Sequence, residues 1–145
     1  MLTLTGNPAF SAYAITSSVI ALQLIVLAFM TGGARGRVKS YVAAEDAKAF
    51  KGEKVSAEHP DVARVQRAHM NLLESAVPFF VVGWLYVLTG ATATGAAAYC
   101  YTFLGARLLH TLFYLRGMQP ARTIAFFVGV LSIIGMAVHV LRASL

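Results

Sequence analysis

A chain of 145 residues has room for one domain, and 58% hydrophobic against 12% charged residues excludes an ordinary soluble domain, where charged residues make up about a quarter. The mean hydropathy of +0.68 points instead to a polytopic membrane protein. A net charge of +6 would signal nucleic acid in a soluble protein, but here the basic residues flank apolar stretches, so topology and anionic lipid account for them and no nucleic-acid partner is expected.

The N-terminus has no charged n-region and no clear cleavage site, so no removable signal peptide is read. A first span is expected over residues 9–30, long enough for about 30 Å of hydrocarbon. It carries Gln23, which reads as polar glue between helices. Thr31-Gly-Gly-Ala34 is expected to break that helix. A polar loop over residues 31–64 follows, with a short helix within residues 42–50 and a turn at His59-Pro60-Asp61. Asp61 is the expected N-cap of the next helix.

The second span covers residues 65–89. Arg67, Asn71 and Glu74 stand at i, i+4 and i+7 and share one helix face. A cation, an amide and a carboxylate thus line up where a helix enters the bilayer. Charges there cost roughly 2.5–3.5 kcal/mol each on insertion scales and normally face a bundle interior or a polar cavity. Pro78 should kink this helix or free a carbonyl, and Trp84 with Tyr86 fit an interfacial belt. The third span, residues 96–115, carries Arg107, His110 and Tyr114 on one face near its C-terminal end. Its Cys100 reads as a packed core thiol and, being the only cysteine, excludes an internal disulfide and gives no metal motif. The fourth span, residues 121–141, starts at Arg122 and Thr123, where the helix dipole and free N–H groups favour an anion; Gly129 and Gly135 read as packing notches.

The expected fold is therefore all-α: an integral membrane four-helix bundle, left-handed and antiparallel, as a single domain over residues 1–145. Eight of the 12 Lys and Arg residues belong to the loop between spans one and two, counting Arg64 and also Arg67 at the start of span two, and the connection between spans three and four contributes Arg116 and Arg122. The positive-inside rule puts both loops in the cytoplasm and both termini on the other side. The start of span two, the end of span three and the start of span four then meet at one depth.

Arg67-Ala-His-Met-Asn71 with Glu74, then Pro78-Phe79 and Leu85-Tyr86, closely resembles the signature of the MAPEG family, the membrane-associated proteins of eicosanoid and glutathione metabolism. Arg107-Leu-Leu-His110 with Tyr114, then Pro120 and Arg122, is similar to that family's third-to-fourth helix motif, and Arg35-x-Arg37 with Glu45-Asp46-Ala47 matches its polar loop. The resemblance implies a homotrimer with glutathione bound between protomers near the cytoplasmic face, and no metal. It places Arg35, Arg67, Asn71, Glu74, His110, Tyr114, Arg122 and Thr123 at glutathione-contacting positions. Arg122 matches the thiolate-stabilising arginine, with Thr123 as an added donor; Asp46 matches an acid near the site. Arg107 and Phe126 are supporting positions. Arg107 and Glu74 also have purely structural readings, as partners in buried ion pairs.

Four departures from the family's pattern stand out. Phe126 stands where prostaglandin E synthases carry tyrosine, Met70 where they carry arginine, and Leu72 where aspartate is common; the turn from Tyr114 to Arg122 is one residue short. The first two favour a microsomal glutathione transferase that conjugates glutathione to hydrophobic electrophiles, with lipid hydroperoxide reduction as a second activity. The alternatives are a prostaglandin E synthase-like isomerase and, in another class, a non-catalytic membrane binding protein or small transporter. The expected membrane is a bacterial inner membrane or the endoplasmic reticulum.

Overall fold

The computed structural model describes Leu4 and residues 6–145. Asn7 starts the first helix. Its Oδ1 accepts from the Ala9 N–H at 2.9 Å, and Pro8, which has no N–H to satisfy, follows at the first helical position. Helix α1 runs over Pro8–Val38 and ends at Lys39, whose φ of 50° lets its N–H turn back to the Arg35 carbonyl. It does not break at Thr31-Gly-Gly-Ala34. Each glycine costs about 1 kcal/mol relative to alanine, but Thr31 and Ala34 are buried and the Thr31 hydroxyl donates to the Leu27 carbonyl at 2.9 Å. Tertiary packing of α1 outweighs local propensity there.

The polar segment is shorter than expected because α1 and the next long helix both extend into it. Strand β1 (Ser40–Tyr41) pairs in parallel with β2 (Glu53–Lys54), and the short helix α2 (Ala44–Ala49) lies between them. Gly52 makes this possible. A Cβ there would stand 2.5 Å from both the Lys39 carbonyl oxygen and the Tyr41 ring, and that carbonyl already accepts from Glu53 N–H at 2.8 Å. Gly52→Ala should therefore open the segment, giving several-fold faster tryptic cleavage at Lys48, Lys51 and Lys54 while the long helices stay protected. Unchanged cleavage would show that the strand pairing tolerates the extra carbon.

Helix α3 (Pro60–Leu88) is capped by His59, not Asp61. His59 Nδ1 accepts from the Asp61 N–H at 3.3 Å, and Pro60 occupies the first helical position, so Asp61 already lies in the first turn. The helix is continuous through Pro78, whose missing N–H leaves the Glu74 carbonyl without its usual donor. Tyr86 is buried in the bundle, edge-on to the Tyr99 and His139 rings.

Thr92 caps α4 (Ala93–Arg116) by accepting from Gly95 N–H at 3.1 Å, and Gly117 closes it in the left-handed region at φ 71°. Helix α5 (Gln119–Ser144) follows at once. The four long helices pack with α1 against α3 and α4, and α5 against α4 and α3; α3 also touches α4 across the centre. Phe79 stacks on Phe103 there, ring centroids 4.2 Å apart, beside a buried Cys100. Helices α1, α3 and α5 are each long and apolar enough to cross a membrane. Helix α4 has the length, at 24 residues, but Arg107, His110 and its threonines dilute its apolar character. Large apolar side chains such as Leu22, Phe29, Ile124 and Leu131 are exposed along the helices, as a lipid-facing surface requires.

Candidate functional site

The densest polar cluster lies where the end of α4 meets the start of α5. His110 is buried, and its ring centroid lies 5.7 Å from that of Tyr114, one turn further on, and 6.1 Å from that of Phe126. The Arg122 guanidinium lies over the Tyr114 ring, 4.3 Å from its centroid, which is a cation–π contact. The short turn through Gly117 sets this pairing. The Met118 N–H reaches back to the Phe113 carbonyl, and the Arg122 N–H is already bonded to the Met118 carbonyl. The backbone donors left at that end are Gln119 and Ala121, since Pro120 has no N–H. Arg122 thus contributes its side chain, not its backbone, and Thr123 is exposed beside it.

Arg107 lies deeper on the same face and is fully buried. It has no ion-pair partner among the described residues, contrary to the salt bridge read for it. Its Nη2 donates to the Phe126 carbonyl at 3.0 Å, and its Cζ lies 5.4 Å and 5.3 Å from the Phe103 and Phe126 ring centroids. Nε and Nη1 have no acceptor among the described residues. The guanidinium presses on α5 at Gly129, where a Cβ would stand 2.5 Å from Nη2. Gln23 of α1 braces this region, donating to Thr111 Oγ1 at 2.8 Å and to the Arg107 carbonyl at 3.3 Å. That is the interhelical role its sequence position implied.

Asn71 and Glu74 line a cleft of about 260 Å³ between α3 and α5, with Ser75, Pro78, Phe126, Val130, Ile133 and Ile134. Phe126 therefore touches both this cleft and the His110 cluster. Asn71 Oδ1 is buried without a donor, and Glu74 is exposed and makes no ion pair with Arg67 or Arg107. Arg67 is exposed at a groove of about 520 Å³ that α3 forms with Thr31 of α1, lined also by Gln66, His69 and Met70. Arg35 and Asp46 share a third cavity, of about 450 Å³, with Tyr41, Val42, Ala43 and Glu58.

One chain thus unites His110, Tyr114, Arg122, Arg107 and Phe126 in one cluster, and Arg35 with Asp46 in another. It brings Asn71 and Glu74 to the edge of the first through Phe126, and it leaves Arg67 on an open face. Sequence reasoning missed Glu58 and Gly129. Glu58 carries no periodic signal in a loop of mixed charge, and a glycine that seats a guanidinium cannot be told from any other packing notch.

The chemistry of this set is specific. Arginines supply forked donors for carboxylates, Glu74 and Asn71 can accept from an ammonium, and Arg122 can stabilise an anion. The MAPEG family model matches residues 13–142. Rat microsomal glutathione S-transferase 1 is 37% identical over 98% of this chain and 95% of its own length. Its human counterpart is 36% identical over 94% of the chain and 91% of its own length. Human prostaglandin E synthase is 32% identical over 94% of the chain and 90% of its own length. With a match spanning nearly every residue, including all the clusters above, the chain belongs to the MAPEG family.

Proposed function

We propose that this protein is a membrane-embedded glutathione transferase that ionises the glutathione thiol and joins it to hydrophobic electrophiles arriving through the bilayer, with lipid hydroperoxides as a second substrate class. The observation that carries the reading is Arg122: a guanidinium 4.3 Å above Tyr114, beside buried His110, with no carboxylate partner among the described residues. A free thiol with a pKa near 8.5 is only a few per cent ionised at neutral pH, and a fixed guanidinium at a helix N-terminus lowers that pKa by about one unit or more.

The peptide's carboxylates go to Arg35 and Arg67, its ammonium to Glu74 with Asn71, and its sulfur to Arg122 with Thr123; His110 and Tyr114 shape the pocket floor, with Asp46 nearby. All four long helices cross the bilayer as a left-handed antiparallel bundle, with both termini on the non-cytoplasmic side. Three copies assemble as a homotrimer. Supporting the trimer, Arg67 and Glu74 are exposed on a single chain although α3 is apolar enough to span. Charged groups facing lipid cost roughly 2.5–3.5 kcal/mol each, and a second protomer over that face removes the cost and closes the pocket. A bacterial inner membrane or the endoplasmic reticulum would suit such a protein.

A titration of glutathione followed by thiolate absorbance tests binding and ionisation together. Saturable thiolate formation at neutral pH supports the reading; glutathione that binds without ionising, or does not bind, removes it and favours a binding protein or transporter. The likeness to prostaglandin E synthase favours a second reading, a glutathione-dependent isomerase of a lipid endoperoxide. Phe126 in place of a tyrosine and Met70 in place of an arginine argue against it. Product analysis with a chlorinated nitroaromatic and with the endoperoxide separates the two.

A further inference from the structure

Among the described residues, Arg35 is the only arginine or lysine with a carboxylate within 4.0 Å. Its partner is Glu58, at the end of the polar segment. Glu58 Oε1 accepts from Arg35 Nε at 3.0 Å and from Arg35 Nη2, and it also accepts from Gln66 Nε2 at 3.3 Å. A single carboxylate oxygen therefore ties the last turn of α1 to the second turn of α3. The other oxygen, Oε2, is buried without a donor among the described residues. Both partners line the same cavity of about 450 Å³ as Asp46.

A guanidinium has two forked edges. Glu58 takes the Nε/Nη2 edge and leaves the Nη1 side, on a side chain still 33% exposed, to meet something else. An arginine at a helix end is otherwise long and mobile, and holding it before a ligand arrives lowers the ordering cost of binding.

We propose that Glu58 is a positioning residue: it grips Arg35 by one edge so that the other is presented to a carboxylate of the thiol peptide. The inference rests on the glutathione reading above and deepens it. Glu58 does not touch the substrate; it acts through Arg35, with Gln66 holding Glu58 in place.

The test is steady-state kinetics of the purified full chain with glutathione varied at saturating electrophile, beside the thiolate titration and the unfolding midpoint. Glu58→Ala should raise the KM for glutathione roughly tenfold, the worth of one charge-assisted hydrogen bond. The kcat at saturation, the KM for the electrophile and the midpoint should stay near wild type. Glu58→Gln, whose amide oxygen still accepts from Arg35, should fall between. In an Arg35→Ala background, Glu58→Ala should add little, because the two act as one unit.

A lower KM would show that Glu58 competes with substrate for Arg35 and would overturn the proposal. So would an unchanged KM in Glu58→Ala and Glu58→Gln, a loss confined to kcat, or a full effect without Arg35. Wild-type protein that fails to bind glutathione sinks this inference together with the glutathione reading; wild-type binding with an unaffected Glu58→Ala sinks this inference alone.

Discussion

Replacing Arg122 with alanine is expected to lower glutathione-dependent kcat/KM by roughly 10²-fold, the scale for removing one preorganised donor to a developing or resident anion. The argument is geometric. The Arg122 guanidinium lies over the Tyr114 ring, and among the described residues no carboxylate lies within 4.0 Å of it. The α5 N-terminus adds its dipole, and the Gln119 and Ala121 N–H groups point out of the same end. Losing the guanidinium should return the bound thiol toward its solution pKa, so the thiolate absorbance at neutral pH should fall with the rate. Raising the pH should then recover part of the activity, since the lost contribution is to ionisation. Arg122→Lys should be intermediate, because lysine keeps the charge but not the forked set of donors. An Arg122→Ala protein with wild-type thiolate absorbance would remove the proposed role. The fold should survive, as Arg122 is not in the buried core.

The largest expected effect on stability is at Gly129. A Cβ there would stand 2.5 Å from Arg107 Nη2, 2.7 Å from Nε and 3.0 Å from Cζ. A side-chain end can often swing away, but this one is fully buried and held. Its Cζ packs 5.4 Å and 5.3 Å from the Phe103 and Phe126 ring centroids, and Nη2 is held at 3.0 Å by the Phe126 carbonyl. Overpacking of this kind costs about 1–3 kcal/mol, which should lower the unfolding midpoint in detergent by about 3–10 °C. Any shift of the guanidinium also breaks its one hydrogen bond and leaves a fully buried charge with no partner. Gly129→Ala combined with Arg107→Ala should lose the penalty specific to Gly129, because the atoms it collides with are gone. Gly135→Ala is the useful contrast. Its Cβ would stand 2.5 Å from Tyr99 Cε1, but Tyr99 is only half-buried and can rotate outward. Equal losses at the two glycines would show that the guanidinium is mobile after all.

The two predictions concern neighbouring parts of one assembly. Arg107 fixes α5 against α4 just below the turn that carries Arg122. A displaced Arg107 should therefore disturb activity as well as stability, whereas Arg122→Ala should disturb activity alone.

The membrane character, the long helices, the pairing of Asn71 with Glu74 and that of His110 with Tyr114 were legible in the amino-acid sequence alone, whereas Arg67, read on the same face as Asn71 and Glu74, lines a separate groove against α1. Each rests on local periodicity summed over many residues, so errors of one position average out. The polar motifs added the family. Other features belong to the tertiary structure. Helix α1 runs on through Gly32 and Gly33, because packing of Thr31 and Ala34 outweighs the glycines' weak local preference. Arg107 finds a carbonyl and two phenyl rings where an acid was expected, because the helix beside it offers backbone and aromatic surface at that depth. Glu58 chooses Arg35 over its nearer basic neighbours, because β1 and β2 fold the polar segment back on the end of α1. Helix formation is decided within a few residues of chain. The partner of a charge is decided by which surfaces come within a few ångströms across distant segments, and no local pattern encodes that.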